Sequence, residues 1–134
     1  MTDKIDSFRG EHFFLSNFYI EPDGTCVEME FQASKCTNDT DIQFVMGSAT
    51  PGEAKKRGRQ VELRLDWEKI KVGQMLSLLR HKFSNPILGA MLLATGDTLL
   101  VEGNGWGDTF WGVCNGKGKN MLGVLLMVVR SELR

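Results

Sequence analysis

Apolar and polar positions follow a helical rhythm over the second half of the chain and a more extended one near its start. Trp67, Ile70, Met75, Leu78, Leu79 and Phe83 fall mostly on one helical face, with Asp66 placed to cap the segment. Asn85-Pro86 interrupts it, and Pro86 opens a second helix with Ile87, Leu88, Met91, Leu92 and Leu93 as its expected buried side, ending by Gly96. The last helix, about Asn120 to Leu133, is apolar nearly all round and is expected at the centre of the fold.

Shorter helices are predicted over about Glu30 to Thr37 and Thr40 to Ala49. Another starts at Thr50-Pro51-Gly52-Glu53, where threonine caps and proline occupies the first turn. Ile5 to Phe8, Phe13 to Ile20 and Thr25 to Met29 carry β-formers. With the turn Glu21-Pro22-Asp23-Gly24 they suggest a small hairpin, and Thr98 to Glu102 reads as a further short strand. The expected fold is α+β, a predominantly helical single domain over residues 1–134 with a small β-sheet.

A formal net charge of -1 supplies no global basic field, which argues against nonspecific coating of nucleic acid while leaving room for a local basic patch. Cys26, Cys36 and Cys114 are an odd number at spacings that match no zinc or disulfide pattern. They read as free thiols in a reducing compartment, and neither a metal nor a cofactor is indicated. No basic start leads into an apolar run, and Val124 to Val129 is too short to cross a bilayer. The expectation is a cytosolic protein with no membrane partner.

Three polar constellations and one loop carry candidate chemistry. In Glu28-Met29-Glu30-Phe31-Gln32-Ala33-Ser34-Lys35, a helix starting near Glu28 puts Glu28 and Gln32 one turn apart on one face, with Lys35 a further turn along. A carboxylate beside an amine suits acid/base work or imine formation; a solvated helix start with an exposed ion pair has the same pattern. Ser16 and Asn17, set between Phe14 and Phe18, read either as turn formers or as a hydroxyl and an amide presented to a sugar. The basic run from Lys55 to Arg59 reads as a solvated helix face or a phosphate clamp. The loop Trp106-Gly107-Asp108-Thr109-Phe110-Trp111-Gly112, continued by Asn115-Gly116-Lys117-Gly118-Lys119-Asn120, makes poor helix and poor strand. It suits stacking on a base and approach to a phosphate, or a packed loop with core tryptophans.

FRGEHFFLSNFY, VEMEFQASK, AKKRGR with LDW, and GNGWGDTFWGVCNGKGKNMLGVLLMVVRSEL together resemble, in order and spacing, the NADAR family (named for NAD and ADP-ribose), also called YbiA-like. The resemblance covers nearly the whole chain. It implies an N-glycosidase acting on early riboflavin-pathway intermediates or, as the favoured reading, on ADP-ribosylated guanine. The implied partners are an ADP-ribose-containing or ribosylated small molecule, or ADP-ribosylated DNA or RNA.

By their motif positions Glu28 and Lys35 are candidate catalytic residues, Glu28 as acid/base and Lys35 as anion anchor or imine former. Asp108 would orient ribose or water. Ser16, Asn17, Phe18 and Gln32 are candidate sugar contacts, and Trp106 and Trp111 would sandwich a base. Gly112, Gly118, Lys119 and Asn120 complete the implied substrate site, with the amides of Gly116 to Asn120 facing phosphate. One common form of the motif has histidine and tyrosine where this chain has Met29 and Glu30. That departure implies a second carboxylate, a different substrate, or a noncatalytic ADP-ribose or NAD sensor.

Overall fold

The computed structural model describes residues 3–134, which form two compact units, Asn17–Leu78 and residues 3–16 with Leu79–Arg134. Helix predominates in an α+β fold.

In the first unit, helices α1 (Val27–Ser34), α2 (Asp39–Met46) and α3 (Pro51–Arg57) close around Cys36, Val45 and Ala54, with Met29, Ala33 and Val61 packed against them. Two caps fix this register. The Asn38 side chain accepts from the Asp41 amide at 2.9 Å, and the Thr50 hydroxyl accepts from the Glu53 amide at 3.1 Å, with Pro51 in the first turn as expected. Helix α4 (Trp67–Phe83) begins in this unit, where Trp67 stacks at a tilt on Phe31 with ring centres 5.0 Å apart. The Asp66 carbonyl accepts from the Lys69 and Ile70 amides, while the Asp66 carboxylate takes a forked pair of bonds from Arg64 at 3.0 and 3.1 Å.

The amino-terminal hairpin contracts to one antiparallel bridge, Ile20 to Cys26, around the expected turn. That turn is held by Asp23, which accepts from the Thr25 amide and hydroxyl. The extended reading of Thr25 to Met29 is corrected: Cys26 ends the extended backbone and α1 starts at Val27. Val27, Glu28, Phe31 and Gln32 are all buried, a set with the i, i+4 spacing of a helix that a strand would split between two faces.

In the second unit, β1 (Lys4–Ile5) pairs in parallel with β2 (Leu99–Leu100), so the expected strand at residues 98–102 is realised over two residues. Gly10–Leu15 forms a 3-10 helix instead of the start of a strand. Consecutive Phe14 and Leu15 are both buried there, which the alternation of a strand does not allow on one face. Helix α5 (Pro86–Ala94) is capped by Asn85, which accepts from the amides of Ile87 and Leu88. It buries Leu88, Gly89 and Leu92, whereas Ile87 is 72% exposed and Met91 and Leu93 also reach solvent, contrary to expectation.

Helix α6 (Met121–Glu132) likewise buries a stripe, Leu122, Leu125, Leu126 and Val129, and leaves Val124 and Val128 exposed. The i, i+3, i+4, i+7 spacing of that stripe accounts for one-sided burial, so the helix is not buried all round. Arg130 is buried with it and donates to the Thr95 hydroxyl at 2.8 Å and the Thr98 carbonyl at 2.9 Å. Lys82, fully buried, donates to the Ser16 carbonyl at 2.9 Å. No described helix is long and apolar enough to cross a membrane.

Candidate functional site

Helix α1 lays out the first polar group along one face. Glu28 is the second residue of the helix, buried, with its amide donating to the Asn17 carbonyl at 3.0 Å and its Oε1 accepting from Gln32 Nε2 at 2.9 Å. A carboxylate in a first helical turn faces the positive end of the peptide dipoles. One turn beyond Gln32, half-buried Lys35 ends the helix. Burial pulls its ammonium below the ordinary lysine range. Glu28 and Cys36 oppose the fall, and Arg59 adds to it.

The Gln32 amide is held from its other side by α3. Its Oε1 lies against the α-carbon of Gly58, where a β-carbon would overlap that oxygen. Gln32 Oε1 and Asn17 Oδ1 are buried with no hydrogen-bond partner among the described residues. Asn17 Nδ2 meets the Met75 sulfur at 3.5 Å, and its backbone carbonyl also accepts from the Cys26 thiol at 3.1 Å. Phe18 is partly exposed, and Ser16 belongs to the other unit, its carbonyl taken by Lys82.

Met29 falls off the Glu28 face. It packs with Ala33 against Cys36, Val45 and Ala54, roughly 100° around the helix from Glu28. The departure from the common motif at this position is therefore absorbed by apolar packing and takes nothing from the Glu28, Gln32 and Lys35 face.

The second polar group is the aromatic loop, framed by the parallel pair β3 (Gly103–Asn104) and β4 (Val113–Cys114). Asn104 is its hub: Oδ1 accepts from the amides of Trp106 and Asp108, and Nδ2 donates to the carbonyls of Asp108 and Val113. Asp108 Oδ1 accepts from the amides of Phe110 and Trp111 at 3.1 and 2.9 Å, so this carboxylate organises the loop's own backbone. Trp106 is 58% exposed, and half-buried Trp111 meets Phe110 edge to face at 4.8 Å.

Three of the five backbone amides expected to face phosphate, over Gly116 to Asn120, are engaged within the chain. The Lys117, Lys119 and Asn120 amides donate to the carbonyls of Cys114, Thr109 and Gly112, so these groups are committed to the chain itself. Asn120 adopts a left-handed conformation and braces β2 to α6, its side chain accepting from Glu102 and donating to Leu100, each at 2.9 Å. Gly112 and Gly118 meet backbone to backbone, since a β-carbon on Gly118 would overlap the Gly112 carbonyl. The Lys119 ammonium stands 5.6 Å from the Phe110 ring centre.

The structure thus brings Asn17, Glu28, Gln32 and Lys35 together in one unit and Asp108, Trp111, Gly112, Gly118 and Asn120 together in the other. Sequence reading missed Asn104 and Gly58. The signal for Gly58 was a glycine interrupting a basic helix end; that for Asn104 was an asparagine between two glycines.

The NADAR domain model matches residues 7–134, across both units. The chain is 38% identical to N-glycosidase YbiA of Shigella flexneri, with 99% of this chain and 91% of that protein covered. It is 41% identical to an N-glycosidase of Nostoc punctiforme, over 81% of this chain and 73% of that one. A riboflavin biosynthesis protein of Vibrio vulnificus is 39% identical over 92% of this chain, which spans only 36% of that longer protein. The NMR structure of Escherichia coli YbiA superposes with a TM-score of 0.83 at 36% identity, covering 99% of this chain and 86% of that one.

Proposed function

Because the chain belongs to the NADAR domain family, we propose that it is an N-glycosidase: a hydrolase that cleaves the bond between a ribosyl carbon and a base or amine nitrogen. The observation that carries this reading is the α1 face, where buried Glu28 is oriented by Gln32 and stands in the field of Lys35. Cleavage needs stabilisation of positive charge at the anomeric carbon, a proton for the departing nitrogen, and water. As the carbon–nitrogen bond breaks, Glu28 as a carboxylate stabilises the cation developing at the anomeric carbon. Water adds to that carbon, Glu28 takes the proton the water loses, and that proton is delivered to the departing nitrogen. Lys35 serves either as an anion anchor or as an amine that condenses with the opened sugar aldehyde, losing water to give an imine that later hydrolyses. Met29 lies in apolar packing away from the Glu28 face, which supports the enzyme over a noncatalytic sensor as far as that one of the two departures, Met29 and Glu30, is concerned.

Two substrates fit. Phosphorylated riboflavin-pathway intermediates are favoured by the names of longer relatives from Vibrio vulnificus and Zea mays. ADP-ribosylated guanine in nucleotide, DNA or RNA is the other, the substrate that the motif resemblance implies. Mass spectrometry after parallel incubation with both substrates tests the assignment. A freed base or amine and a freed sugar phosphate or ADP-ribose are expected from one of them, and failure to cleave either substrate overturns it.

A further inference from the structure

The basic run at the end of α3 is sorted by the structure into spent and unspent cations. Arg57 is spent: it is paired with Glu53, donates to the Phe44 carbonyl at 2.7 Å and lies over the Phe44 ring at 4.7 Å. Arg59 differs. Its amide donates to the Lys56 carbonyl at 3.2 Å, but its exposed guanidinium has no hydrogen-bond or ion-pair partner among the described residues. It directly follows Gly58, whose α-carbon lies against the Gln32 amide, so Arg59 leaves the chain at the edge of the Glu28, Gln32 and Lys35 face. The Lys35 ammonium likewise lacks a hydrogen bond or ion pair among the described residues, with the Glu28 carboxylate acting on it electrostatically.

Two cations held in each other's field repel, and a single carboxylate that has already accepted a hydrogen bond from Gln32 offsets them only in part. The remaining positive charge suits a doubly charged anion. An arginine supplies a planar fork matched to phosphate oxygens, and a lysine supplies a point charge. We propose that Arg59, acting with Lys35, is the specificity-determining residue that binds the substrate's phosphate and makes the enzyme selective for phosphorylated N-ribosides over their dephosphorylated counterparts. The proposal deepens the N-glycosidase reading and rests on it for the word substrate; anion binding itself does not.

The test titrates ribose 5-phosphate, ribose and ADP-ribose into the full chain and into Arg59→Gln and Arg59→Lys. The expected result is that wild type binds ribose 5-phosphate or ADP-ribose and that Arg59→Gln weakens this binding about ten-fold or more, with Arg59→Lys intermediate and melting unchanged. Ribose should distinguish none of the variants. The stronger of the two phosphorylated probes identifies a monoester or a diphosphate as the natural anion. In turnover, Arg59→Gln should raise KM for a phosphorylated N-riboside while leaving kcat, and should leave the dephosphorylated substrate unaffected. Equal affinity of wild type and Arg59→Gln for both phosphorylated probes, or no binding of either by wild type, overturns the proposal. Arg59-dependent binding without hydrolysis of any N-riboside would instead defeat the N-glycosidase reading and leave the anion site standing.

Discussion

Replacing Gly58 by alanine isolates the contact that orients the candidate catalytic carboxylate. Gly58 has φ -61 and ψ -19, an ordinary helical conformation, so alanine there meets no backbone strain. On propensity and unfolded-state entropy alone it would stabilise by about 0.5 to 1 kcal/mol. The obstacle is the neighbour: the new β-carbon would overlap Gln32 Oε1 and lie 2.9 Å from Gln32 Cδ and 3.3 Å from the Ala54 carbonyl. Gln32 must swing away, breaking its 2.9 Å bond to Glu28. Losing a buried hydrogen bond to a carboxylate costs about 1.5 to 3 kcal/mol, so the net expectation is a loss of about 1 to 2 kcal/mol. For a chain of this size that is a melting point lower by roughly 3 to 10 °C. Activity should fall by about ten-fold or more as Glu28 loses its orientation. Urea and thermal unfolding read the stability, and repeating both in a Gln32→Ala background supplies the decisive contrast. With the amide gone, Gly58→Ala should reverse sign and stabilise by about 0.5 to 1 kcal/mol. A Gly58→Ala protein as stable as wild type in both backgrounds would refute the steric account.

Trp106→Ala should leave melting nearly unchanged, because more than half of the residue is already exposed, yet weaken ligand binding by about 1 to 3 kcal/mol; a large drop in melting temperature with unchanged affinity would refute a stacking role. If Lys35 forms an imine, borohydride during turnover should leave a sugar adduct on its peptide and Lys35→Arg should be inactive, whereas an anchor gives no adduct and an active arginine variant. Burial lowers the Lys35 pKa, so the neutral amine, and with it any imine route, should appear at lower pH than for an ordinary lysine. The same sign makes the unfolded chain bind more protons between the folded and unfolded pKa values, so the Lys35 contribution to stability should rise with pH through that window and be lost as pH falls.

Most helices were legible because their caps and stripes agree. Thr50-Pro51 and Asn85-Pro86 each state a boundary in local chemistry, whereas the buried face of α6, Leu122, Leu125, Leu126 and Val129, was hidden by the apolar Val124 and Val128 on its exposed side. The amino-terminal region was not, because β-forming residues such as Phe14 and Val27 are recruited to buried helical turns, where tertiary burial outweighs propensity. The spacing of Glu28, Gln32 and Lys35 predicted one face, and the Gln32 to Glu28 bond realises part of it. What local pattern could not supply was the partner across space: Gly58 under Gln32, the Asn104 hub, and the carbonyls that consume the amides before α6.

The most direct measurement is single-turnover release of the free base from a phosphorylated N-riboside by wild type, Glu28→Gln and Glu30→Gln, read by mass spectrometry. The central claim predicts that Glu28→Gln folds as wild type does but releases base roughly 100-fold to 10,000-fold more slowly. Glu30→Gln, two residues and roughly 200° around the helix from Glu28, should keep the parent rate. Release by Glu28→Gln at the wild-type rate would contradict the assignment, and loss of release in Glu30→Gln alone would move the catalytic carboxylate to the neighbouring residue.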